Sequence, residues 1–164
     1  KDNPDLDITI LNLNEPRYSQ NGNLRFVKGD VTDLSEFADK SFDVVFSNSV
    51  IEHIPKSRDR QKMANEIRRV GRRSFVQTPN YYFPFEPHFL FPCFQFFPEA
   101  LKLFLLQKFN MGWFKKCENR KQAQKLLEEN SLLNLHEFRE YFNRSRIIKE
   151  KFLFLSKSYI AVNT

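Results

Sequence analysis

The segment Phe42-Asp43-Val44-Val45-Phe46-Ser47 constrains this chain most. Its centre, Val44-Val45-Phe46, is continuously apolar and β-branched or aromatic, and the turn residues Asp39-Lys40-Ser41 precede it. Such a run suits a strand buried on both faces, as in a parallel sheet. The segments around it agree. Ile8 to Leu13 and Leu24 to Val27 read as two earlier strands, joined by a turn-rich connector from Pro16 to Asn23. Leu34 to Ala38 has room for a single helical turn. Arg58 to Val70 then carries Met63, Ile67 and Val70 at helical spacing with basic residues opposite. Ser74-Phe75-Val76-Gln77 is a fourth strand, closed by Thr78-Pro79-Asn80. Strands that alternate with helical crossovers predict an α/β fold with a mostly parallel sheet and helices on both faces.

The rest of the chain has a different character. Ten of the 19 phenylalanines fall between residues 81 and 114, with Tyr81, Tyr82, Trp113 and prolines 84, 87, 92 and 98. This marks an aromatic-rich insertion over about 81–116. Within it Pro98 to Gln107 predicts a helix, and Gln122 to Glu129 predicts a short one. Asn134-Leu135-His136-Glu137 has the form of a capping box opening a helix through Phe142. Arg146 to Leu153 and Ser158 to Val162 read as a closing antiparallel hairpin.

At 164 residues, 41% hydrophobic and 28% charged, the chain predicts one domain with its own core. Its net charge of +6 is uneven. Residues 1–100 hold 13 Lys and Arg against 14 acidic residues, and residues 101–164 hold 13 against 6. A basic C-terminal half favours an anionic partner, such as a phosphate ester or a lipid surface, or is simply a solvated lysine-rich face. No zinc knuckle, basic recognition helix or RNA-binding strand motif supports nucleic acid. Cys93 and Cys117 form no CxxC and have no nearby His pair, so neither a disulfide framework nor a metal site is expected, and a reducing cytoplasm fits. Lys1 to Asp5 is polar and acidic, unlike a signal peptide.

Two blocks carry a resemblance. Gly29-Asp30-Val31-Thr32-Asp33-Leu34 is an acidic turn after a strand. Ser41-Phe42-Asp43-Val44-Val45 follows, then Ser47-Asn48-Ser49 and Glu52-His53. At this spacing, with Thr78-Pro79-Asn80 and Glu86-Pro87-His88 beyond, the chain resembles the class I S-adenosylmethionine-dependent methyltransferases over about residues 6–162. The resemblance implies a Rossmann-like fold and S-adenosylmethionine as methyl donor. It implies that Asp30 and the Val31 N–H meet the adenine, and that Asn12 stands where the family has an acidic residue on the ribose. It implies that Ser47, Asn48 and Ser49 line the methionine end. Asn14 or Glu15 could compensate for the missing charge at Asn12.

Each of these residues also has a plainer reading. Asp30 suits a turn with a local hydrogen bond, Ser47–Ser49 a polar helix cap, and His53 a packing or surface position. His53 and His88 are the candidate general bases, because imidazole titrates near neutral pH. His136 opens a helix and reads as surface.

The family's glycine-rich turn after its first strand has no counterpart among Gly22, Gly29, Gly71 and Gly112. The expectation is therefore a partial methyltransferase domain over 1–164, lacking the first strand–helix unit, within a longer enzyme. Its acceptor would be a small molecule, a glycan or a lipid-linked group. The alternative is a non-catalytic module that uses the aromatic, basic half against a membrane or a partner. A different Rossmann nucleotide-binding protein is a third reading, weakened equally by the absent glycines. Oligomeric state is left open by the sequence.

Overall fold

The computed structural model describes residues 6–14 and 23–164. Lys1 to Asp5, Glu15 and all but Asn23 of the expected connector lie outside them. Strand β1 (Ile8–Asn12) pairs in parallel with β2 (Leu24–Lys28), with Ile8 opposite Leu24. These two form their own sheet. A second sheet holds β3 (Phe42–Asn48), β4 (Gly71–Pro79), β8 (Leu155–Asn163) and β7 (Arg146–Phe152), in that order across the sheet. The β3–β4 pair is parallel and is joined by helix α1 (Ser57–Val70); β8 is antiparallel to β4 and to β7. The architecture is the α/β fold with a C-terminal hairpin that the sequence predicts, but the larger sheet is mixed, not mostly parallel, because the hairpin adds two antiparallel pairings to one parallel pairing.

Register explains where the core sits. Phe46 stands opposite Phe75 and Ser47 opposite Val76, so paired residues share a face. Val45, Val76, Ala161, Tyr159 and Ile147 face one way and meet Met63, Ala64 and Ile67 of α1. Helix α4 (Leu135–Tyr141) adds Phe138 and Tyr141 to the same core. Gly71 lets α1 close onto the sheet, since a Cβ there would stand 2.8 Å from Cγ2 of Val45.

The opposite face differs from the expectation of a strand covered on both sides. Val44 is 58% exposed and Phe46 68%. β3 is also an edge strand: among the described residues nothing pairs on its far side. The apolar run is real, but α1 covers only alternate residues of it.

The aromatic insertion builds a second core. Strands β5 (Phe85–Glu86) and β6 (Phe91–Pro92), a 3-10 turn at Phe94–Phe96, α2 (Glu99–Lys108) and α3 (Arg120–Glu128) enclose Phe89, Phe94, Leu103, Leu106, Met111, Cys117 and Ala123. Much of the phenylalanine therefore packs on itself. Gly112 sits at φ +53, where an added Cβ would meet the His88 carbonyl oxygen at 2.4 Å. Both cysteines are free thiols, Cys93 exposed and Cys117 buried.

Helix ends follow local chemistry. The Asn134–Glu137 capping box forms as read, starting α4 at Leu135. Asn119 accepts from the Gln122 N–H at 2.9 Å, which starts α3 two residues before the expected Gln122. Leu34 to Ala38 forms no helix; its Phe37 N–H to Leu34 carbonyl bond, 2.9 Å, closes a tight turn. The final hairpin reverses at Leu153–Phe154, so its strands are tighter than expected.

Candidate functional site

The carboxyl ends of β3 and β4 carry the first group of candidate residues. Ser49 leaves β3 at φ +54, a left-handed turn that bulky residues avoid. Its backbone N–H donates to the Gln77 carbonyl at 3.1 Å, and its hydroxyl donates to Gln77 Oε1 at 3.2 Å. Asn48 is exposed opposite Gln77. Both line a cleft of about 520 Å³ on the open face of the sheet, walled by Phe46, Phe75, Phe83 and Phe85. Phe46 and Phe75 stack with centroids 5.4 Å apart. Ser47 points the other way. It is buried on the core face, and its hydroxyl has no hydrogen-bond partner.

The second group lies at the ends of β1 and β2. The Asn12 carbonyl accepts from the Gly29 N–H at 2.9 Å, so Asn12 and the acidic turn are neighbours. Asp30 is exposed, and its Oδ1 accepts from the Thr32 N–H at 2.8 Å. That is the local turn bond of the plainer reading, and it coexists with an accessible carboxylate. Val31 packs its side chain against the main core. Neither Asn12 nor Asp30 lines the cleft at Asn48 and Ser49. The candidate cofactor residues thus fall into two sets on two sheets.

The two candidate bases come together although 35 positions separate them. The rings of His53 and His88 meet edge to face with centroids 4.9 Å apart. His53 is exposed, and its Nδ1 lies 2.9 Å from the Glu129 carbonyl oxygen. Nδ1 of His88 lies 2.7 Å from Oε1 of Glu86, a side chain only 2% exposed. The other Glu86 oxygen accepts from the Phe89 N–H at 2.5 Å. Glu52 stands beside them, fully buried, with Oε2 accepting from the Thr78 hydroxyl at 2.9 Å. Burial pushes its carboxyl above the usual glutamate range. His136 is on the surface, 3.7 Å from Glu140.

Sequence reasoning missed Glu86 and Glu52 as working residues. The sequence holds Glu52-His53 and Glu86-x-His88 as separate short pairs. Only the fold brings them to one place. A second cavity of about 340 Å³ adjoins the cluster, lined by Glu86, Phe89, Gln95, Lys102 and Glu128 among others. Pro87 lines the cleft while Glu86 and Phe89 line this cavity, so one short stretch borders both. Burial lowers the Lys102 ammonium below the usual lysine range.

Residues 4–74 match the family model of a methyltransferase domain. Two uncharacterised proteins from two strains of Mycobacterium tuberculosis are each 39% identical over 57 residues, which is 35% of this chain and 20% of theirs. The chain thus spans about a fifth of the length of these curated relatives. Among solved structures, a possible exported protein from Bordetella parapertussis superposes with a TM-score of 0.51 at 11% identity, over 86% of this chain and 44% of that one. A SAM-dependent methyltransferase from Methanosarcina mazei gives 0.47 at 13% identity, over 94% and 79%. The span that resembles a methyltransferase domain holds β1 to β3 and α1. No helix among the described residues is long and apolar enough to cross a membrane.

Proposed function

We propose that this chain binds S-adenosylmethionine and takes part in methyl transfer to a small-molecule, glycan or lipid-linked acceptor. The observation that carries this reading is the strand-end cleft. It combines polar groups from Asn48, Ser49, Gln77 and Asn80 with an aromatic wall. Aromatic faces attract a cation such as a sulfonium, and a mostly apolar pocket with a few fixed polar groups is how small ligands are held. When bound, the cofactor supplies an electrophilic methyl group on a positively charged sulfur.

Asn48 and Ser49 would hold the methionine end, with Ser47 beneath them on the core side. Asp30 and the Val31 N–H would meet the adenine, and Asn12 the ribose. The phenylalanine wall excludes water from the reacting groups. His53 and His88, beside the Glu86 that lines the second cavity, would take a proton from an acceptor hydroxyl held there. The Glu86 carboxylate orients the His88 ring for that task. Calorimetric titration of the full-length protein with S-adenosylhomocysteine tests the reading. Binding that weakens about tenfold or more in Asp30→Ala and Asn48→Ala supports it; no binding by the unmutated protein overturns it.

A second observation favours contact with a lipid surface, which would suit a lipid-linked acceptor. The closing hairpin exposes Phe152, Leu153, Phe154 and Leu155, with Phe154 96% exposed. Lys149, Lys151 and Lys157 flank this tip. Apolar residues that enter the acyl boundary, ringed by lysines, match an anionic bilayer. Co-sedimentation with anionic vesicles at low salt, abolished by Phe154→Asp, is the expected result. A protein that stays in the supernatant excludes it.

A further inference from the structure

We propose that Glu52, His53 and His88 form a binding site for a divalent transition-metal ion of the zinc type. Each of the three offers one ligand atom, and these atoms all lie within 4.8 Å of one another. The burial of Glu52 is the decisive feature. Its Oε2 has the Thr78 hydroxyl, but its Oε1 is buried with no partner. A buried carboxylate oxygen left without a donor is costly and calls for a proton or a cation.

The histidines are set to supply that cation's other ligands. A carbonyl oxygen can only accept, so the 2.9 Å contact to Glu129 places the proton of a neutral His53 on Nδ1. The 2.7 Å contact to the Glu86 carboxylate does the same for His88. In both rings Nε2 is then the nitrogen with a lone pair to give. A histidine whose far nitrogen donates to a carboxylate or a carbonyl is the usual outer support of a metal-binding imidazole.

The donor set also selects the ion. Two imidazoles and one carboxylate suit zinc, cobalt or iron(II), whereas magnesium and calcium prefer all-oxygen shells. Metal–ligand bonds of about 2.0–2.2 Å put tetrahedral ligands roughly 3.3 Å apart. Closing on the ion therefore needs a contraction of at most about 1.5 Å, and exposed His53 has room to swing. Three protein ligands leave one position open, the pattern of catalytic rather than structural zinc.

The inference stands on these three side chains alone; a bound ion would take the Nε2 lone pairs, so His53 and His88 would serve as general bases only in the metal-free protein. The test is titration of the metal-free protein with Co²⁺, followed by visible absorption, and with Zn²⁺, followed by calorimetry. The expected result is one ion per chain, with cobalt absorption typical of nitrogen ligation. Glu52→Gln and His88→Ala should each weaken Zn²⁺ binding at least about tenfold, and Glu86→Gln by about 10–100-fold through loss of the outer support. His136→Ala should bind like the unmutated protein. Circular dichroism confirms that each variant is folded, and His88→Gln serves if His88→Ala is not. Absence of saturable binding, or binding indifferent to Glu52→Gln and His88→Ala or His88→Gln, overturns the proposal. Because the readout is metal binding alone, that failure is distinct from a failure to bind S-adenosylhomocysteine.

Discussion

Arg69 Nη2 donates to the Leu34 carbonyl oxygen at 2.8 Å, and this bond ties helix α1 to the turn that follows Asp30. The same guanidinium donates from Nη1 to the Phe37 carbonyl at 2.8 Å and contacts Asp39 and Glu66. Glu66 in turn accepts from the Leu34 N–H at 2.8 Å. These bonds pass from α1, which packs on the larger sheet, to the segment that follows β2 of the smaller one. They set where the acidic turn sits relative to the tip of β3.

Arg69→Ala should therefore loosen the 30–39 segment while leaving the main core intact. Amide hydrogen exchange of Phe37 and its neighbours is expected to speed up by at least about tenfold, with core amides of β4 little changed, because local opening is governed by local contacts. Equal protection in both proteins would remove the clamp from the account.

Glu66 gives the clamp a pH dependence. The hydrogen bond from Arg69, and then that from the Leu34 N–H, hold its carboxyl below the usual glutamate range. The unfolded chain thus binds the proton more readily than the folded one, so stability rises with pH. The contribution is present above the ordinary glutamate pKa and is lost as pH falls through the lowered folded value. Glu66→Gln should be about 1 kcal/mol less stable near neutrality. The gap should close as thermal melts are taken down through the acid range.

Gly112→Ala should be poorly tolerated. A left-handed backbone alone costs an L-residue about 1–2 kcal/mol, and the new methyl group would press on the carbonyl of His88. The expected outcome is a lower melting temperature together with a displaced His88 ring, visible as a shifted imidazole NMR resonance.

Asn134→Ala removes the capping box of α4 and should cost about 1 kcal/mol. Its side-chain oxygen accepts from the His136 and Glu137 N–H groups at 2.9 and 3.1 Å, and alanine offers no replacement acceptor. Urea denaturation with an unchanged m-value is the check, since the compactness of the two end states should not alter.

The capping box was legible in the sequence because a cap and its helix lie within four residues. The alternation of strands with α1 was legible for the same reason: periodicity is a local property. The faces of β3 were not. Phe42 to Ser47 records that the strand is apolar, yet what covers Phe46 depends on elements elsewhere in the chain. The candidate site behaved in the same way. Asn48 and Ser49 could be placed at a strand end, and His53 and His88 could be named singly. The Glu52–Thr78 and Glu86–His88 partnerships decide what those histidines can do, and Glu52 and Thr78 are 26 residues apart. The multiple bonds of Arg69 carried no signal either, because a basic residue on a helix surface reads the same whether it points to water or to a carbonyl.

The unequal burial of the two thiols has a practical reach. Cys117 is enclosed and its ionisation is suppressed by burial, while Cys93 is open to solvent beside the 3-10 turn at Phe94. A maleimide dye should therefore couple at one place without any engineered substitution. That single reporter would sit on the phenylalanine-rich lobe, where fluorescence could follow the arrival of an acceptor independently of events at the strand tips.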